Sequence, residues 1–291
     1  MEHWIIYLLN GLYFASFLFL TSLGLSIILG VMGILNLAHG SLYAVGGFVA
    51  AYLIGLMAQS SLPVMLLVSV LGAVVVAGLV GFVLETTLIK HMYRRALEYQ
   101  LLITFGILML IEDLIKLIFG GESRYASAPF DAMGSLDIMG HTYSIYFLFV
   151  MAVAAAAGLF IWWLMVRTRL GIMLRAIEMD REMAQAMGIP MRSLTIAAFM
   201  LGSAFAGLAG ALVVPTTPAV MGMGMDPLIM AFIVVVIGGL GSLKGAFLGS
   251  IIVGLTRSFT IAYFAELEMP LLFLIAVVIL VIRPEGLFGQ K

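Results

Sequence analysis

The chain has 291 residues, of which 64% are hydrophobic and 10% charged. Soluble domains run nearer ~45–50% apolar and ~25% charged, so the surplus exceeds what a water-facing fold hides in its core. The 14 Lys and Arg against 15 Asp and Glu leave no basic footprint for nucleic acid, and the absence of cysteine excludes disulfides, thiolate chemistry and Cys-held zinc. A mean hydropathy of +1.21 makes the chain a polytopic membrane protein.

Met1, Glu2, His3 and Trp4 precede the first apolar run without a Lys or Arg. A cleaved secretory signal needs a positive start, so the first span is expected to be retained, with the N-terminus outside. Apolar runs long enough to span, or nearly so, follow at residues 5–29, 34–57, 62–84, 101–119, 143–166, 195–214, 227–237, 246–263 and 270–282. They are continuous rather than alternating with period two, which predicts helices and not a barrel. The expected fold is therefore all-α, a single membrane bundle over residues 1–291 with about 8–10 segments.

Basic residues orient the spans. Lys90, Arg94 and Arg95 mark one inside loop, and Arg167, Arg169, Arg175, Arg181 and Arg192 mark a longer one over residues 167–194. Arg283 and Lys291 place the C-terminus inside, while residues 120–142, carrying Glu122, Asp131 and Asp137 against Arg124, read as outside. Roughly nine crossings from an outside start satisfy these assignments.

Glycine numbers 32, and its placement suggests two broken or re-entrant stretches, near residues 30–40 and 238–245. Interrupted segments in both halves are the best sequence pointer to a transport path. Asn36, His39, Gly40 and Ser41 in the first, and Gly238, Gly239, Gly241 and Ser242 in the second, are expected to line it, facing each other or a partner chain. Small residues four apart, Gly202, Ala206 and Gly210, predict a close helix–helix face, as do Gly47, Ala51 and Gly55. His39 reads either as a hydrogen-bonded cap of the break or as a contact to the transported molecule, the cap being the simpler reading.

Charges within spans have two readings. Glu112 and Asp113 with Lys116 form either an ion site or a paired cluster near water, the order Glu112 to Lys116 favouring the pair. Arg257 and Glu85 lie near the ends of their segments and are expected to reach the interface. No lysine follows a glycine, so the chain has no P-loop, and His3, His39, His91 and His141 are too scattered for a metal site. Catalysis by this chain is not expected.

The long inside loop has helix-forming composition ending at Gly188 and Pro190. Asp180 is a candidate N-cap for a short helix over residues 181–187, whose stripe of Met183, Ala184 and Met187 suits either a groove on another protein or a lipid surface.

Five stretches in order resemble the permeases of branched-chain amino acid ABC importers. They are Asn36-Leu37-Ala38-His39-Gly40-Ser41-Leu42-Tyr43 with Gly46-Gly47; the loop with Gly171, Arg175-Ala176, Asp180, Ala184 and Gly188-Ile189; residues 202–212; Ile237-Gly238-Gly239-Leu240-Gly241-Ser242 with Gly245 and Gly249; and the ending Arg283-Pro284-Glu285-Gly286-Leu287-Phe288-Gly289. The resemblance implies an inner-membrane subunit for uptake of leucine, isoleucine and valine. It implies that Arg175, Ala176, Asp180, Met183, Ala184, Met187, Gly188 and Ile189 form the ATPase-coupling element. It also implies a heterodimer with a second related permease, two cytoplasmic ATPase subunits and a soluble binding protein. No cofactor is expected on this chain, ATP and magnesium belonging to the ATPases. Close relatives carry urea, short amides or other amino acids, and an ion-coupled carrier or channel using Glu112 and Asp113 is the alternative of another class.

Overall fold

The computed structural model describes residues 3–289 except Arg94 and Met139, and the backbone alone of His3. The expectations resting on Met1, Glu2, Arg94 and Lys291 lie outside the described residues. Nine helices match the nine predicted spans in order: α1 (His3–Met32), α2 (His39–Leu56), α3 (Leu62–Thr87), α4 (Leu97–Phe119), α6 (Ile145–Arg167), α9 (Met191–Val213), α10 (Met225–Gly238), α11 (Leu243–Phe264) and α12 (Glu268–Ile282). Among the described residues, six stretches are long and apolar enough to cross a bilayer, the last running from Leu243 to Ile282 through α11 and α12, and α10 is a shorter apolar helix. Helix α4 is long enough but carries Glu112, Asp113 and Lys116 near its end.

Helix boundaries follow local chemistry. At about 1.5 Å per residue, the 30-residue α1 is about 45 Å long, more than a bilayer core needs. Pro63 sits in the first turn of α3, where its missing N–H leaves no bond unmade. Gly120 ends α4 at a positive φ of 87°. Ser144 starts α6 by accepting from the Tyr146 N–H at 3.2 Å.

The stretch before α6 departs from the all-helical expectation. A short helix α5 (Ala128–Met133) precedes an antiparallel hairpin of β1 (Ser135–Ile138) and β2 (His141–Ser144), in register Ser135 with Ser144 and Ile138 with His141. Four-residue strands carry too little pattern to be read from sequence.

Helices α1, α2 and α9 form the buried centre, while α3, α6 and α12 turn broad apolar faces outward. On α3, Leu67, Leu71, Val75 and Leu79 recur every four residues and are all exposed, an outward apolar stripe. The centre closes through glycine. Gly202 of α9 meets Gly24 of α1, and Gly207 and Gly210 meet Gly46 and Tyr43 of α2. Ala206 is fully buried between them. Gly55, by contrast, faces open space, so the stripe of Gly47, Ala51 and Gly55 packs within the chain only over its first part.

Candidate functional site

The first break is an extended link from Gly33 to Leu37. Gly33 takes a φ of 65°, which ends α1, and the Asn36 side-chain oxygen accepts from the Ala38 N–H at 3.1 Å to start α2. His39 then hydrogen-bonds through Nε2 to the Thr21 carbonyl at 3.0 Å. Thr21 lies in the second half of α1, so α2 begins deep inside the bundle rather than at its rim. Asn36, His39, Gly40 and Ser41 are all buried, with Ser41 donating to the Ala38 carbonyl and Gly40 seated against Gly224.

The second break is a four-residue turn. Gly239 and Gly241 adopt φ of 104° and 78°, and the Ser242 hydroxyl caps α11 by accepting from the Gly245 N–H at 3.1 Å. Gly238 is pressed against Gly245. The C-terminal motif folds back onto this turn: the N–H groups of Leu287 and Phe288 donate to the carbonyls of Ile237 and Gly238, each at 2.9 Å. The carbonyls left without helical partners at the end of α10 are thereby satisfied. Two motifs about forty-five residues apart in sequence are one structural unit, a relation no spacing rule reveals.

The loop between α6 and α9 contains α7 (Arg169–Met179) and α8 (Arg181–Ala186). Thr168 caps α7, and Asp180 caps α8 by accepting from the Met183 N–H at 2.9 Å. Gly188 (φ 79°) and the Ile189 N–H bond to the Ala184 carbonyl end α8 in a Schellman-like turn. Besides apolar packing, polar contacts tie this loop to the bundle. Arg181 stacks over the Tyr93 ring, 5.0 Å from its centre, and Tyr93 donates to the Glu85 carboxylate of α3. Burial, with that carboxylate beside it, pushes the Tyr93 phenol up, which keeps it a donor.

The expected apolar stripe on α8 is divided. Met183 and Met187 are 59% and 76% exposed and continue from Met179 at 77%, whereas Ala184 is 4% exposed and packs into the chain's own core. Met183 on α8 and Met187 at its C-terminal cap point outward, Met179 is exposed at the end of α7 before the extended Asp180, and Ala184 holds α8 down. This corrects the one-sided reading of Met183, Ala184 and Met187, because a helix of six residues seated on a bundle must turn one face inward. Ala176 and Ile189 are partly buried, and Arg175 is exposed.

A cavity of about 820 Å³ joins these parts, bounded by the end of α1, the first break, α7 and the second turn. Its lining includes Ser26, Gly30, Leu35, Arg175, Glu178, Gly241, Ser242, Lys244 and Phe288. Of the predicted path residues, Gly241 and Ser242 reach it. Asn36, His39, Gly40, Ser41, Gly238 and Gly239 are not among its lining residues. Glu178 was not singled out from sequence, yet the signal existed: it follows Gly171, Leu174 and Ile177 on the face of α7 that packs inward. Burial raises its carboxyl above the usual range and the Arg175 guanidinium opposes this.

Two expectations about charges change. Among the described residues Glu112 forms no ion pair with Lys116; its carboxylate accepts from the Gly222 N–H at 3.0 Å. Glu85 is 2% exposed instead of reaching an interface; its Oε1 accepts from Tyr93, while its Oε2 has no partner among the described residues. Arg257 is held by an ion pair with Glu268 and by the Phe14 ring 3.7 Å from its guanidinium carbon.

A multi-pass bundle of broken helices, with both breaks and a helical loop gathered around one cavity, has the construction of a transport subunit. The family described as branched-chain amino acid transport system / permease component matches residues 7–282. The chain is 26% identical over 300 residues to BraD, a permease protein of a high-affinity branched-chain amino acid transport system in Pseudomonas aeruginosa, covering 99% of this chain and 96% of BraD. It is 23% identical over 296 residues to the permease protein LivH of Escherichia coli, covering 97% and 94%, and 26% identical over 293 residues to LivM of the same organism, covering 91% and 66%. The chain belongs to the branched-chain amino acid transport permease family. It is a non-catalytic, multi-pass membrane subunit of the ABC importer type.

Proposed function

We propose that this chain carries branched-chain aliphatic amino acids across the inner membrane, receiving them from a soluble binding protein and driven by two ATPase subunits bound at the α7–α8 loop. Its N-terminus and the hairpin lie outside, and the loop and C-terminus inside, as the basic residues direct. A second, related permease completes the pathway. Similarity to both LivH and LivM, two permeases of one organism, supports a heterodimer. The names of BraD and LivH support the substrate.

The observation that carries the reading is the exposure of Met179, Met183 and Met187 around α8, on a loop tied to the bundle through Arg181, Tyr93 and Glu85. Flexible, polarizable methionines suit a groove on a partner. An ATPase seated there moves α8, and Tyr93 passes the movement to the end of α3. The test is Met183→Glu with Met187→Glu in the complete importer. A charge buried against the ATPase without a partner is costly, so leucine uptake should fall tenfold or more and ATPase co-purification should weaken. Normal expression with wild-type uptake and co-purification refutes the docking surface. Competition by urea, short amides and a panel of amino acids tests the substrate, and uptake inhibited more by an amide than by leucine refutes that part.

A further inference from the structure

The cavity beside the α7–α8 loop carries charged side chains that make no direct ion pair among the described residues. Glu178 is partly buried, and among the described residues no hydrogen bond or ion pair reaches its carboxylate. Arg175 and Lys244 line the same space, and neither makes an ion pair among the described residues. The remaining lining is mainly aliphatic, including Ile27, Val31, Leu35, Leu243 and Met165. The carboxylate position is built rather than incidental. A Cβ on Gly30 or Gly241 would stand 3.3 Å and 3.1 Å from Glu178 Oε1, so the two glycines make the floor on which it rests. Among the described residues the buried Ser26 hydroxyl, also in the lining, has no partner.

We propose that this cavity binds a free aliphatic amino acid on the coupling-loop side, its carboxylate on Arg175, its ammonium on Glu178 and its side chain among the aliphatic lining. This rests on the permease reading and adds the groups that recognise the substrate. The volume falls within the ~300–1,000 Å³ usual for small-molecule sites, whose walls are mostly apolar with a few placed polar groups. A guanidinium matches a carboxylate in geometry and charge. A carboxylate held out of water by the protein gains most from a ligand cation, since burial has already weakened its hydration. The pairing demands both ends of a zwitterion. A 2-oxo acid of the same carbon skeleton lacks the partner for Glu178, and the corresponding amine lacks the partner for Arg175. Because a transport subunit must let go, binding in the millimolar range is expected.

The experiment uses the permease with its ATPases in lipid nanodiscs, without the binding protein, titrated by saturation-transfer NMR. The probes are L-leucine, 4-methyl-2-oxopentanoate and 3-methylbutylamine. Leucine should bind more tightly than either analogue. Glu178→Gln should weaken leucine tenfold or more and leave the oxo acid unchanged, and Arg175→Gln should weaken leucine and the oxo acid together. Glu178→Asp, which keeps the charge, should retain leucine selectivity, and melting curves verify that each variant is folded. Leucine binding no tighter than that of the analogues overturns the proposal, as does leucine binding indifferent to both glutamine variants. A complex that imports leucine on ATP yet shows no such binding refutes the cavity site alone, whereas wild-type permease that captures no ATPase refutes the permease reading beneath it.

Discussion

Gly46 stands where α2 crosses α9, and replacing it with alanine tests the packing at the centre of the bundle. The new Cβ would lie 2.1 Å from the Gly207 carbonyl oxygen and 2.4 Å from its Cα. Ordinary contact begins at 3.4 Å, so the two helices must part by about 1.3 Å, and both obstructing atoms are backbone that no rotamer change can move. Overpacking of this kind costs ~1–3 kcal/mol. Helix preference works against that cost, since alanine is favoured over glycine in a helix interior by ~0.5–1 kcal/mol. The net effect is a loss of about 1–2 kcal/mol for Gly46→Ala. Gly55 lies nine residues along the same helix and meets nothing within 4 Å. Gly55→Ala therefore keeps only the helix preference and should melt at or slightly above wild type. The assay is thermal unfolding of the full-length chain in detergent, followed by fluorescence-detected size exclusion, with both variants in parallel. If Gly46→Ala melts at or above wild type, or if the two variants shift together, the helices do not cross at that glycine contact.

Removing the Tyr146 hydroxyl with Tyr146→Phe should cost about 1 kcal/mol, because the buried Leu212 carbonyl loses a donor at 2.8 Å; an unchanged melting temperature refutes it. The Glu178 carboxyl holds its proton more tightly in the fold than its ordinary value of 4.5 allows, so its charged form weakens the fold above that range. Glu178→Gln should therefore raise the melting temperature at pH 7, the gain fading as pH falls through the raised folded value and vanishing by about 4.5, and a variant less stable than wild type at pH 7 contradicts this. A single cysteine at Ser135, in a chain that has none, should react with an impermeant maleimide on intact cells, and labelling only after lysis reverses the orientation.

The membrane character, the nine helical segments and the capped short helix α8 were all legible in one dimension. Each depends on a local cause: apolar length sets a span, Asp180 starts α8, and Gly188 with Pro190 stops it. The stripe on α8 was read less well, because periodicity names residues that share a face and does not say which neighbour that face meets. Ala184 and Met183 are adjacent, and the bundle beneath α8 decides that one is buried and the other free.

Long-range relations lay beyond the sequence altogether. Glu112 and Lys116 have the spacing of an ion pair, yet the Gly222 N–H, 110 residues away, takes the carboxylate. The closing motif from Arg283 to Gly289 shows its purpose only against the open carbonyls of Ile237 and Gly238. Glu178 gains its setting from Gly30 near the end of α1 and Gly241 in the turn before α11. Composition and periodicity thus determined that the chain spans a membrane as broken helices. Which polar groups face one another across the cavity was decided by tertiary packing, because hydrogen bonds and buried charges are matched by distance in space and not by distance along the chain.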